Sequence, residues 1–158
     1  MMKDYAFNAA VVFCYLVKDG KVLLIKREKP PAFKQYTIVG GKKEPGEDLY
    51  AACKREVYEE TGLEVENLKL KGVISNFIEG RDFEVTTYYF LSDRFSGELN
   101  ASNEGALEWC DIRESYHKDG ISEYYVRISP LVLEQDGVFL ASMSSDKNGN
   151  VACFEVHP

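Results

Sequence analysis

The chain has 158 residues, of which 45% are hydrophobic and 13% aromatic, enough to build one packed core and too apolar for a disordered chain. Its formal net charge of −7 argues against a nucleic-acid polymer as partner, because phosphate-gripping proteins carry a basic surplus. The longest apolar runs (9–16, 88–91 and 138–141) fall well short of the roughly 18–20 residues of a membrane span. Met1–Tyr5 carries no apolar segment behind positive charge, so no signal peptide is expected. The four cysteines stand singly, without a Cys-x-x-Cys pair, and there are only two histidines. That spacing speaks against zinc and for small core thiols in a reducing cytoplasm.

In chain order, 11–17 and 21–26 are β-prone runs flanking Lys18-Asp19-Gly20, a hairpin signal. A basic, proline-bearing loop follows, containing Lys29, Phe33 and Lys34. Residues 36–39 then read as a short strand leading into Gly40-Gly41. A helix is expected over 48–61, stopped by Gly62. Residues 68–78 and 83–91 predict two further strands, and 107–112 a short one around Trp109. A second helix over 122–133 has to accommodate Pro130 by a kink or a division. The tail repeats the hairpin pattern at 138–143 and 151–156. Strands and two helices alternate without linker or repeat, which predicts one mixed α/β domain over 1–158.

The helix at 48–61 holds the chemistry. On a wheel of about 100° per residue, Leu49, Ala52, Cys53 and Val57 form the inward stripe. Glu56 and Glu60 fall about 20° either side of its origin, with Glu59 about 80° away. Three carboxylates on the inward side of a helix cost desolvation and mutual repulsion, so something positive belongs among them. Arg55 pairs with one, expected to be Glu59 four residues on, and cannot neutralise three plus Glu47. A set of oxygen ligands without His or Cys favours Mg²⁺ or Mn²⁺.

The segment Gly41-x5-Glu47-x7-Arg55-Glu56-Val57-x-Glu59-Glu60-x-Gly62-Leu63 resembles the Nudix box at each of its nine specified positions. The resemblance implies the Nudix fold, an α/β/α sandwich around a mixed β-sheet with the box as loop, helix and loop. It also implies a metal-dependent pyrophosphohydrolase. By position, Glu56, Glu59, Glu60 and the carbonyl of Gly40 resemble metal ligands. Glu56 is also a candidate to activate water, Arg55 resembles the arginine that fixes the carboxylates, and Glu47 has a supporting role.

Within the family the chain looks most like the MutT-type triphosphate pyrophosphatases, which include 8-oxo-dGTP diphosphatases. The loop Ser102-Asn103-Glu104-Gly105 before Leu107-Glu108-Trp109 resembles the place where those members carry a further catalytic carboxylate, making Glu104 a candidate. Arg27 resembles a substrate-contacting base, and Thr37, Lys42 and Glu123 complete the expected substrate contacts. Thr37 stands where members reading oxidised purines often have Asn. The resemblance thus implies hydrolysis of a nucleoside triphosphate, canonical or oxidised, to monophosphate and pyrophosphate. A Nudix enzyme acting on ADP-ribose or another nucleoside diphosphate derivative is the alternative. A non-catalytic nucleotide sensor is a further one, although such proteins usually lose box glutamates.

Overall fold

The computed structural model describes residues 7–30, 32–100 and 102–158. The reading of Met1–Tyr5 lies outside the described residues. The elements, in order, are strands β1 (Phe7–Lys18), β2 (Lys21–Arg27), β3 (Tyr36–Thr37) and β4 (Val39–Lys42), then helix α1 (Leu49–Thr61). Strands β5 (Glu64–Glu66), β6 (Lys69–Ile78), β7 (Phe83–Ser92), β8 (Arg94–Ser96) and β9 (Gly105–Asp111) follow. Helices α2 (Ile112–Ser115) and α3 (Glu123–Leu133) precede the final hairpin, β10 (Phe139–Ser145) and β11 (Val151–His157).

Nine of the strands form one mixed sheet, ordered β11-β10-β6-β7-β1-β2-β3, with β4 paired to β1 and β9 paired to β2. The central strand β1 runs parallel to β7 and antiparallel to β4. Its continuous apolar run is explained by cover on both faces. Val12, Cys14 and Leu16 point into a core shared with Ala52, Cys53 and Val57 of α1. Phe13, Tyr15 and Val17 point into the opposite core, with Tyr125, Ile128 and Val132 of α3. Strand β2 alternates the same way: Leu23 and Ile25 face the α1 side, Val22 and Leu24 the α3 side. This two-core arrangement is the expected α/β/α sandwich. Polar groups in the α3 core are paired, Tyr15 with Ser129 at 2.9 Å and Tyr125 with Ser115 at 2.7 Å.

Several expectations are refined. The turn at Asp19 (φ 52°) and Gly20 (φ 75°) forms, both residues taking the left-handed conformation that such a tight hairpin turn needs. The hairpin pairs only at its root, Val17 with Val22 and Lys18 with Lys21. Beyond that point the strands diverge, β1 toward β4 and β7, β2 toward β3 and β9. The single strand expected at 36–39 is two short ones broken at Ile38, because the first pairs with β2 and the second with β1. The two expected helices are three among the described residues: α2, a single turn capped by the Asp111 carboxylate, was not foreseen. Nor was the separate β5–β8 ribbon. Pro130 does not divide α3. It lies near the helix's end, where the carbonyl of Pro130 itself accepts from the Glu134 N–H.

Candidate active site

The site is built where α1 crosses the end of β4. Asp48 caps the helix, its carboxylate accepting from the Ala51 N–H at 2.7 Å. Gly62, at φ 76°, closes it in the left-handed conformation. With both ends fixed, the helix buries Ala52, Cys53 and Val57 and thereby sets the rotation of its glutamates. Glu60 is buried, at 4% exposure. Glu56 is largely covered, with its side chain 14% exposed, whereas Glu59 is 55% exposed. The wheel angles anticipate this order: Glu56 and Glu60 near the stripe's centre, Glu59 at its margin.

Two glycines let β4 approach this face. A Cβ on Gly41 would stand 2.5 Å from the Glu56 carboxylate, and one on Gly40 would stand 2.2 Å from the Val12 carbonyl oxygen. The strand therefore runs directly beneath the carboxylates, and the Gly40 N–H donates to Glu60 Oε2 at 3.4 Å.

Arg55 organises the rest. The sequence pointed to Glu59 as its partner; the structure makes Glu47 the main one. The guanidinium grips Glu47 with two bonds, Nη2 to Oε1 at 2.7 Å and Nε to Oε2 at 3.1 Å. It also donates to Glu56 Oε1 (2.9 Å), Glu59 Oε2 (3.2 Å) and the Lys42 carbonyl (2.9 Å). All five N–H groups of the guanidinium are thus engaged. Its planar fork suits the bidentate grip, and Glu47 reaches round from before the helix to meet it.

The electrostatics follow from these contacts. The Arg55 hydrogen bonds hold the Glu47 carboxyl down at about 2. Burial pushes Glu60 up to about 8; the neighbouring Glu56 adds to the rise, while Arg27 and the Gly40 N–H oppose it. Burial also raises Glu56, against the opposing hydrogen bond from Arg55. Arg55 neutralises one end of the cluster; at the other, among the described residues, Glu60 makes no salt bridge and feels Arg27 only through space.

The cluster lines a cleft of about 410 Å³ with Gly40, Gly41, Glu44, Arg55, Glu56, Glu59, Glu60, Arg27 and the loop residues Ser102, Asn103 and Glu104. Glu104 is brought to the far side by a backbone bond from the Glu28 N–H to its carbonyl (2.9 Å), and the Ser102 hydroxyl accepts from its N–H. Its carboxylate pairs with Lys29 at 3.0 Å and stands 3.9 Å from Arg27. Gly105, behind it, opens β9 against Arg27, where a Cβ would collide with the Lys26 carbonyl.

The remaining candidates lie elsewhere. Thr37 pairs with Ile25 in the sheet, Lys42 is exposed with only its carbonyl turned to Arg55, and Glu123 is exposed on α3 and paired with Arg127. None of the three lines the cleft. Sequence reasoning passed over Glu44, which lines the cleft 3.8 Å from Arg55, because it occupies an unspecified position of the box.

Comparison with known proteins assigns a family to this cleft of convergent carboxylates, carried on a capped helix against a two-sided mixed sheet. Residues 7–131 match the NUDIX domain family, and the chain belongs to it. The chain is 36% identical over 100 residues to the ADP-ribose pyrophosphatase of Methanocaldococcus jannaschii, covering 63% of this chain and 59% of that one. It is 32% identical over 97 residues to the oxidized purine nucleoside triphosphate hydrolase of Danio rerio, covering 61% of this chain and 62% of that one. The matched stretch is therefore less than two thirds of either relative's length. The crystal structure of the MutT protein from Bacillus halodurans superposes with a TM-score of 0.85 at 29% identity, covering 95% of this chain and 98% of that one.

Proposed function

We propose that this Nudix hydrolase is a divalent-cation-dependent pyrophosphohydrolase, hydrolysing a nucleoside triphosphate, canonical or oxidised, to the monophosphate and pyrophosphate. The observation that carries the metal is Glu60: a carboxylate at 4% exposure, beside Glu56, with no salt bridge among the described residues. A buried carboxylate beside a second one is costly, and an all-oxygen donor set suits Mg²⁺ or Mn²⁺. Among the described residues no three such groups stand close enough, as placed, to hold an ion, since Glu56 and Glu59 are turned to Arg55. Glu56 and Glu59 each give Arg55 only one carboxylate oxygen, so the other oxygen of each, with Glu60 and the Gly40 carbonyl, would hold the ion without releasing the arginine.

A bound divalent cation would neutralise diphosphate charge and acidify nearby water. The chain's own groups do the rest. Arg55 holds the carboxylates in register. Glu56 or Glu104 takes the proton from the water that attacks phosphorus, and the leaving group, pyrophosphate for attack at the α-phosphorus or the monophosphate for attack at the β-phosphorus, departs with the electron pair of the broken P–O bond. Arg27 steadies the phosphates. Thr37, Lys42 and Glu123, away from the cleft lining, would meet only parts of the substrate beyond the diphosphate. Chain 1–158 acts in this reading as one domain, since β1 and β11 share a sheet. Its four free cysteines suit a reducing cytoplasm. No helix among the described residues is long and apolar enough to cross a membrane.

The Glu60 carboxyl has a measurable consequence. In the metal-free folded chain it keeps its proton up to about 8, whereas unfolded it ionises near its ordinary 4.5. The folded state therefore binds more protons across that window, and metal-free stability falls as pH rises through it. Melts in EDTA should show a lower Tm at pH 8 than at pH 6. Mg²⁺, which takes the ionised form, should raise Tm more at pH 8 than at pH 6. A Tm that is flat in EDTA and indifferent to Mg²⁺ would contradict the assignment.

The substrate is tested by comparing kcat/KM for dGTP, 8-oxo-dGTP, ATP and ADP-ribose under one metal condition. A triphosphate should lead. ADP-ribose is the second reading, favoured by the Methanocaldococcus jannaschii relative. A lead for it of more than tenfold, about 1.4 kcal/mol of transition-state preference, would put that reading first.

A further inference from the structure

Arg27 lines the cleft beside Glu104, whereas Arg55 is committed to the carboxylates. Its five N–H groups are taken by Glu47, Glu56, Glu59 and the Lys42 carbonyl, so contacting phosphate would release a carboxylate. Lys29 stands differently. It lies just past β2, on the connection to β3, and that connection is pinned at its root. The Arg27 N–H donates to the Gln35 carbonyl, the Lys34 N–H to the Arg27 carbonyl, and the Glu28 N–H to the Glu104 carbonyl. The loop base is thus tied to the cleft wall while the Lys29 side chain stays half exposed. Its Nζ reaches Glu104 Oε1 at 3.0 Å, so the ammonium, itself outside the cleft lining, is held against a carboxylate that lines it.

We propose that Lys29 forms a terminal-phosphate subsite: its ammonium exchanges the Glu104 carboxylate for the substrate's distal phosphate. This rests on the triphosphate reading above and names the residue that enforces it. An exposed lysine–carboxylate pair is weak and readily exchanged, and a terminal phosphate offers more charge and more acceptor oxygens than a carboxylate. The exchange also releases Glu104 as substrate arrives. Substrates ending in a sugar gain nothing from the ammonium, so the subsite selects for chains ending in free phosphate.

Steady-state kinetics with a nucleoside triphosphate at fixed Mg²⁺ test the assignment. Lys29→Gln should raise KM about tenfold, well beyond any loss in kcat, and raise the inhibition constant of inorganic pyrophosphate in parallel. Lys29→Arg, which keeps the charge, should recover most of both. A wild-type KM in Lys29→Gln, a loss confined to kcat, or failure of Lys29→Arg to rescue would each overturn the subsite. If the unaltered enzyme cleaves no triphosphate, the substrate reading falls and the subsite with it. If it does and Lys29→Gln behaves like it, the subsite alone falls.

Discussion

Glu60→Gln should reduce kcat by on the order of 10³-fold at saturating Mg²⁺ while leaving the fold intact. The amide matches the carboxylate in shape, so packing against β4 survives, but a neutral oxygen supports a divalent cation poorly. The substitution also has an opposite effect on stability, which separates it from simple unfolding. Ionised Glu60 is a burden on the metal-free chain above the pH where it would otherwise hold its proton. Glu60→Gln removes that burden, so its Tm in EDTA at pH 8 should be no lower than that of the unaltered chain. Activity within tenfold of the unaltered enzyme at limiting Mg²⁺ would remove Glu60 from the ligand set. A Tm several degrees lower in EDTA at pH 8 would instead mark the carboxylate as structural.

Arg55 should give the second large effect, for a different reason. It touches four glutamates, within hydrogen-bond distance of Glu47, Glu56 and Glu59 and 3.8 Å from Glu44, so its removal leaves a cluster of like charges with no internal cation. Arg55→Ala should cost about 2 kcal/mol of stability in urea melts and lower kcat by about 10²-fold or more. Arg55→Lys is the sharper test. Lysine restores charge as a single point and cannot reproduce two bonds to Glu47 together with bonds to Glu56, Glu59 and the Lys42 carbonyl. It should therefore recover stability better than it recovers kcat. Equal recovery of both would mean that Arg55 contributes charge alone, not geometry.

The parts of this architecture that were legible beforehand are those with a local cause. Asp19-Gly20 needs left-handed backbone whatever surrounds it, and Asp48 and Gly62 cap a helix by their own chemistry. The inward place of Glu56 and Glu60 follows from helical period, since Ala52, Cys53 and Val57 fix the rotation of α1. The unforeseen parts depend on distant partners. Strand β1 leaves its hairpin to pair with β4 and β7, and Gly40 lets β4 come close against Val12 and Phe13, which no window around residue 12 reveals. β5, β8 and α2 are too short, at three, three and four residues, for any periodicity to register. Glu59 was the natural partner of Arg55 by helical spacing, yet Glu47 takes the bidentate grip from a turn outside the helix. Glu104 could be singled out by resemblance, but its contact with Lys29 arises only when the β2–β3 connection folds onto the loop before β9. Thr37, Lys42 and Glu123 are candidates by resemblance alone, and none of the three lines the cleft.

The central claim is that this carboxylate cleft hydrolyses a nucleotide's phosphoanhydride only when a divalent cation is present. Phosphorus NMR of a nucleoside triphosphate incubated with the metal-stripped protein, before and after addition of Mg²⁺, tests it most directly. The account predicts no conversion in EDTA, then stoichiometric monophosphate and pyrophosphate once Mg²⁺ is supplied. Conversion at the same rate in EDTA, or diphosphate and inorganic phosphate as the products, would contradict it.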